Sequence, residues 1–273
     1  MNQFLSNKQG IIGLIFYQIR KIGLGRACSV FLPLIFLGAM LDAASADEAG
    51  VAVDTAKAAQ SQRAFIDGIG KGWKPLQEDD FVNVNCDPET FTWEGSTAHC
   101  TGKPIGVIRT KDQYTNFELI VEWKHLKPAG NSGIFLWADE ESVAKTPPND
   151  VPKGIEVQVL ENDYPEFYTK QTGKKADWFT THGDIFPVHG ALMKPFEPIA
   201  PDGIRSFPTK QLSLSAGNWN HYYIRAINGE VRLWVNGEEV SGGADCEPRH
   251  GYVALESEGS PVDFRNIRIR PLP

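Results

Sequence analysis

The stretch Gly154-Ile155-Glu156-Val157-Gln158-Val159-Leu160-Glu161 alternates apolar and polar residues with the period of a β-strand, so Ile155, Val157 and Val159 share one face and Glu156 and Gln158 the other. One face packs and the opposite face is left for solvent or a ligand. Strand faces turned to water more often carry Thr, Lys or Ser than a carboxylate beside an amide. Glu156 and Gln158 are therefore the first candidate site residues, and the plainer reading of them is the wet face of an antiparallel sheet.

Just upstream, Gly130-Asn131-Ser132-Gly133 reads as a turn feeding the strand Ile134-Phe135-Leu136-Trp137. Before it, Phe117 to Lys124 alternates cleanly, with Phe117, Leu119, Val121 and Trp123 on the packed side, and Phe91–Trp93 and Gly106–Thr110 read as shorter strands. Downstream, residues 162–211 lose the period and carry six prolines among many aromatics, which predicts long loops laid over a sheet, with one helical turn at Lys175–Phe179. Strands resume at Asn220, where Asn228-Gly229 and Asn236-Gly237 are strong hairpin signals. Gly251–Glu256 and Val262–Ile269 complete the set, and the alternation of the last changes phase between Phe264 and Ile267, predicting a bulge. No helix of normal length is expected after residue 65, so the fold class is all-β, a sandwich.

The first 46 residues read as an export signal: Lys8, Arg20, Lys21 and Arg26 precede an apolar run from Ala27 to Leu41, followed by Ala44-Ser45-Ala46. The run is shorter than the roughly 20 residues of a membrane span and is interrupted by Pro33. Residues 47–64 read as a flexible tether or a loose helix, leaving 65–273 as the folded domain of an exported, periplasmic or secreted protein. Setting aside the leader's four basic residues and Asp42 takes the formal charge from −7 to −10, which disfavours nucleic acid and anionic membranes as partners. Beyond the leader lie Cys86, Cys100 and Cys246; a Cys86–Cys100 bridge would close a loop worth ~3 kcal/mol, and pairing with Cys246 is the alternative. The cysteine spacing argues against a structural zinc site.

The succession Phe65-x-Asp67-Gly68 with Trp73, Phe117-Glu118-Leu119 to Trp123, Asn131-Ser132-Gly133-Ile134-Phe135, Gly154-x-Glu156-Val157-Gln158, Gly217-Asn218-Trp219-Asn220, Asn236-Gly237 and Phe264-Arg265-Asn266-Ile267 resembles the 3-keto-disaccharide hydrolase family. The resemblance implies a concanavalin A-like jelly roll and cleavage of glycosides already oxidised to a ketone at C3. A C3 ketone acidifies the C2 hydrogen, so a base can remove it and the enolate can expel the aglycone from C1. The chain departs from the commoner family pattern at Gly190-Ala191-Leu192-Met193, which lacks a tyrosine, and at Leu255-Glu256-Ser257-Glu258-Gly259, where others often carry a Gln and a His-Gly pair. A lectin-like, non-catalytic carbohydrate-binding module is the rival reading, and an ordinary two-carboxylate glycosidase using Glu156 and Glu256 a third.

Within that resemblance Glu156 is the candidate base or metal ligand, with Gln158 and Asn131 as donors to sugar or enolate oxygens. Thr181-His182-Gly183-Asp184 brings an imidazole and a carboxylate together in a loop, suited to acid–base work or to a divalent metal held with Glu156. His189, Arg205 and Glu256 are further substrate-binding candidates, and Trp137 and Trp178 are candidate platforms for a pyranose face. No nucleotide-binding loop is present, so no nucleotide cofactor is expected, and oxidation of the substrate at C3 falls to a separate sugar dehydrogenase.

Overall fold

A computed structural model describes residues 66–273, and the expected leader and tether lie outside the described residues. The strands are β1 (Lys74–Pro75), β2 (Phe81–Asn83), β3 (Phe91–Glu94), β4 (Thr97–Cys100), β5 (Gly106–Thr110), β6 (Asn116–His125), β7 (Asn131–Ala138), β8 (Gly154–Leu160), β9 (Ile185–Val188), β10 (Leu192–Pro195), β11 (Asn220–Ile227), β12 (Glu230–Val235), β13 (Glu238–Glu247), β14 (Tyr252–Ser257) and β15 (Val262–Leu272). A nine-stranded sheet runs β10-β13-β12-β11-β6-β15-β4-β3, with β1 on β15, and a six-stranded sheet runs β2-β5-β14-β7-β8-β9. Pairing is antiparallel throughout, and the two stacked sheets form the jelly-roll sandwich.

The alternating sequences explain the stacking. Phe117, Leu119, Val121 and Trp123 of β6 and Tyr222 and Ile224 of β11 meet Ile134 and Leu136 of β7 and Ile155, Val157 and Val159 of β8 in one apolar core. Burying each such side chain contributes about 1.5–3 kcal/mol. Asn228 (φ 53°) with Gly229, and Asn236 (φ 49°) with Gly237, make the two expected tight hairpins joining β11, β12 and β13. The bulge foreseen in the last strand is a register shift against β6 between Arg265 and Arg268, with Asn266 at φ 47°.

Other expectations are corrected. Asn131-Ser132-Gly133 is already strand, paired with Leu160, Val159 and Gln158, and the left-handed residue lies earlier, at Ala129. The helix of the central segment is Tyr164–Thr172 rather than a turn at Lys175–Phe179, and it ends on Gly173 at φ 68°. Cys86, Cys100 and Cys246 are free thiols, so the expected Cys86–Cys100 bridge is not formed; Cys100 is buried in the sandwich core with its sulfur accepting the Gly102 N–H at 3.3 Å.

Candidate active site

The outer face of the six-stranded sheet, opposite the core, holds two different surfaces. At one end Val107, Phe135, Tyr252 and Ala254 pack under Val143 and Val151 in a second apolar cluster. At the other, Glu156 on β8 and Glu256 on β14 flank Gly133 on β7, the strand between them. A Cβ on Gly133 would lie 2.7 Å from Glu156 Oε1 and 2.6 Å from Glu256 Oε2, which puts these two oxygens within about 5 Å of each other. The missing side chain is what lets two carboxyl groups face one another across the intervening strand.

Both carboxyls are buried, Glu156 at 6 % and Glu256 at 2 % exposure, and Glu256 Oε2 has no hydrogen-bond partner. A third, Glu258, lies half-buried just beyond β14 and accepts a hydrogen bond from Asn131 Nδ2. Gln158 Nε2 donates to Asn131 Oδ1 at 2.9 Å and to the Ser132 carbonyl at 3.1 Å, which orients the Asn131 amide toward Glu258. Burial, then the charge of Glu258, raises Glu156 well above the usual carboxylate range, with Arg205 opposing; Glu256 is raised by burial and by Glu258 and Glu156. Burial pushes Glu258 up to about 8 against the pull of Arg205.

Arg205 is the cation of this group. It is 5 % exposed, lies over the Phe186 ring at 3.5 Å and the Trp178 ring at 4.9 Å, and reaches Asp184 Oδ2 at 3.7 Å. Its Nη1 makes no hydrogen bond. Asp184 is held by the Thr180 N–H at 2.9 Å and by the Thr180 hydroxyl, and burial lifts it to about 6, with Arg205 and Thr180 opposing. The structure thus brings together Glu156, Gln158, Asn131, Asp184, Arg205, Trp178 and Glu256 from the sequence candidates. Glu258, and Tyr164, whose phenol burial and Glu258 hold protonated, were not among them.

Three candidates lie elsewhere. His182 is completely buried, with its ring 6.4 Å from Trp123 of the core; Nε2 accepts the Ser213 N–H at 3.1 Å, and burial lowers it to about 3. Its backbone neighbours run along β8, and the imidazole points away from the carboxyls. His189 sits past β9 and pairs with Asp150 at 2.9 Å, beside the second apolar cluster. Trp137 is fully buried because its φ of 52° interrupts the alternation of β7 and turns the indole into the core, edge-on to Phe117 at 6.1 Å, with Nε1 donating to the Thr115 carbonyl at 2.8 Å. It offers no sugar platform, and one face of Trp178 is covered by Arg205. With His182 turned away, the expected metal ligands Glu156, His182 and Asp184 do not converge, and among the described residues no group of three His, Cys, Asp or Glu suits a metal ion.

Fold and site together define a two-sheet jelly roll that gathers crowded carboxyls beside Arg205 on the outer face of one sheet. Residues 63–270 match the sequence model of the 3-keto-alpha-glucoside-1,2-lyase-like domain, and the chain belongs to that family. It is 27 % identical over 177 residues to a 3-keto-disaccharide hydrolase of Bacteroides thetaiotaomicron; the match spans 59 % of this chain and 60 % of that relative. Two crystal structures of proteins from Parabacteroides distasonis, each described as a candidate glycosyl hydrolase, share the fold at 21 % identity. Their TM-scores are 0.54 and 0.50, covering 74 % and 73 % of this chain and 94 % and 99 % of theirs.

Proposed function

We propose that the protein cleaves 3-keto-glycosides by removing the C2 proton and eliminating the C1 substituent, with water addition to the resulting glucal completing net hydrolysis. Family membership supports the substrate class, and one observation carries the mechanism: two buried carboxyls facing each other across Gly133. Like charges this close do not both ionise readily, so the pair shares a proton. Glu156, which Arg205 acts on directly, is the member favoured to ionise and serves as base; its raised affinity for protons suits abstraction from carbon better than an ordinary carboxylate. Glu256 keeps the proton, and its unpartnered oxygen supplies a donor to the enolate oxygen as charge develops there. Gln158 and Asn131 orient the acids. Oxidation at C3 belongs to a separate dehydrogenase, and a cleaved leader would place the reaction outside the cytoplasm.

Two carboxyls on the strands flanking β7 also admit a second reading, that of a retaining glycosidase, in which the pair stands about 5–5.5 Å apart. The two readings separate on substrate. Purified protein incubated with a 3-keto-disaccharide and with its unoxidised parent, followed by NMR, is expected to release aglycone only from the ketone. Release from the parent alone would sink the elimination mechanism in favour of the glycosidase, and calorimetric binding without product would leave a lectin-like module.

A further inference from the structure

We propose that residues 163–179 form a lid that opens to admit substrate to the buried acids and closes over it, an inference that rests on the reading above of Glu156 and Glu256 as the groups that meet the substrate. In the structure Glu156, Glu256, Asp184 and Arg205 are all buried, whereas a base must come within about 2.6–3.2 Å of the proton it takes. Some covering element therefore moves. The strands beneath are not free to do so, because β14, β7 and β8 are held side by side in one sheet. Residues 199–206, which carry Arg205, are pinned as well. Ser206 exchanges both backbone hydrogen bonds with Ile185 of β9, at 3.0 and 3.1 Å, and the Arg205 carbonyl accepts the Ala200 N–H at 3.0 Å.

Residues 163–179 are tied differently. Among the described residues, the hydrogen bonds and the ion pair of 164–179 all close within the stretch or on Glu161 and Asp163 at its start. Its apolar side chains likewise pack on one another. Phe179 stands edge-on to Trp178 at 4.7 Å, to Tyr168 at 5.2 Å and to Tyr164 at 5.9 Å. Tyr168 and Phe179 are buried, yet they belong to neither apolar cluster of the sandwich. Carboxylates mark the two ends of this unit: Glu161 takes the Asp163 N–H at 2.9 Å together with those of Ala129 and Ala216, and Asp184 takes the Thr180 N–H at 2.9 Å. Between these anchors the unit reaches to the site itself. The Trp178 ring rests on Arg205 at 4.9 Å, and the Tyr164 phenol is close enough to Glu258 to feel its charge. A segment with its own aromatic core and few bonds to the sheet opens at small cost, and once closed over a substrate it keeps water from the acids and the enolate.

Distances between spin labels test the lid. Labels on Lys170→Cys, exposed on the helix, and on Arg225→Cys, exposed on β11, report its position in a chain carrying Cys86→Ser, since Cys100 and Cys246 are buried. In the free protein the electron–electron resonance distance is expected to be split or broadened by more than about 2 Å. It should collapse to one narrow value when Glu156→Gln, added to the labelled chain, holds a saturating 3-keto-disaccharide without turning it over. A control pair on the frame, Lys111→Cys with Arg225→Cys, should stay unchanged. One narrow distance in the free protein, the same with ligand, would make the stretch a fixed wall and overturn the lid. With turnover by the wild type established, a spread that saturating ligand leaves as it was would overturn it too, because the stretch would then move without serving the site. A wild-type protein that turns over no 3-keto-sugar loses the cleavage reading instead, and the free-protein distances still judge the lid.

Discussion

Both outer faces of the sandwich carry buried or half-buried acids, and they treat them in opposite ways. On the nine-stranded sheet each has a cation within reach. Arg270 lies opposite Glu118 in the β15–β6 register and pairs with it, Arg265 Nε meets Glu122 at 2.7 Å, and Asp263 is held by His99 at 2.8 Å and Lys124 at 3.1 Å. On the six-stranded sheet Glu156, Glu256 and Glu258 crowd together, and Arg205, which acts on Glu156 and Glu258, also serves Asp184. A face that only packs neutralises its charges; one that keeps acids buried and under-compensated stores proton affinity at a cost in stability, which is the electrostatic mark of a working site.

The comparison breaks most sharply at Glu156. Glu156→Gln removes the base but keeps shape, and steady-state turnover of a 3-keto-glucoside is expected to fall about 10²–10⁴-fold. Retained turnover would place the base elsewhere. Gly133→Ala comes next. The added methyl meets side-chain tips rather than backbone, so the strand can remain while the two carboxyls are forced off their positions. A displacement of this kind costs activity of order 10²-fold, with a melting temperature changed by only a few degrees; equal collapse of both would mean that Gly133 is needed for folding instead.

The acids also leave a signature in stability. Glu156, Glu256 and Glu258 bind protons more tightly folded than unfolded, so their contribution is greatest below about 4.5 and is lost as pH rises through the window ending, for Glu258, near 8. Buried His182 and His125, lowered to about 3 and about 4 chiefly by desolvation, act oppositely: their share is complete above the ordinary histidine value and falls as pH drops. Between about pH 6.5 and 8 the acids dominate, and the melting temperature is expected to decline. Glu256→Gln should flatten that decline in a thermal-melt series, and an unchanged slope would count against the buried cluster.

The sequence made β8, the two Asn-Gly hairpins and the bulge before Ile267 legible because each is a local pattern of period or turn chemistry. Single backbone departures were not. One left-handed residue turns Trp137 inward, and where period is lost nothing distinguished the direction of His182 from that of Asp184. β13 escaped because it carries Gly242 and Gly243, which β-propensity disfavours but which the close approach of Phe196 and Met193 requires. The helix Tyr164–Thr172 did leave signals, Pro165 in its first turn and Gly173 at its end. So did Glu258: the Glu256-Ser257-Glu258 spacing puts both acids on one face, but it runs past the last strand residue, where alternation ceases to be a guide.

The smallest expected effect tests the other face. Glu122 accepts from Arg265 Nε at 2.7 Å and from Asn266 Nδ2 at 3.3 Å, and the Arg265 guanidinium lies 3.9 Å over the Trp219 ring. Because Arg265 keeps that stacking and stays open to water, Glu122→Gln removes an ion pair without stranding a buried charge. Chemical denaturation should show a loss of at most about 1 kcal/mol, with no change in turnover. Activity falling with Glu122 would mean that the two faces are coupled through the core, and that crowding of acids on the six-stranded sheet does not by itself locate the chemistry.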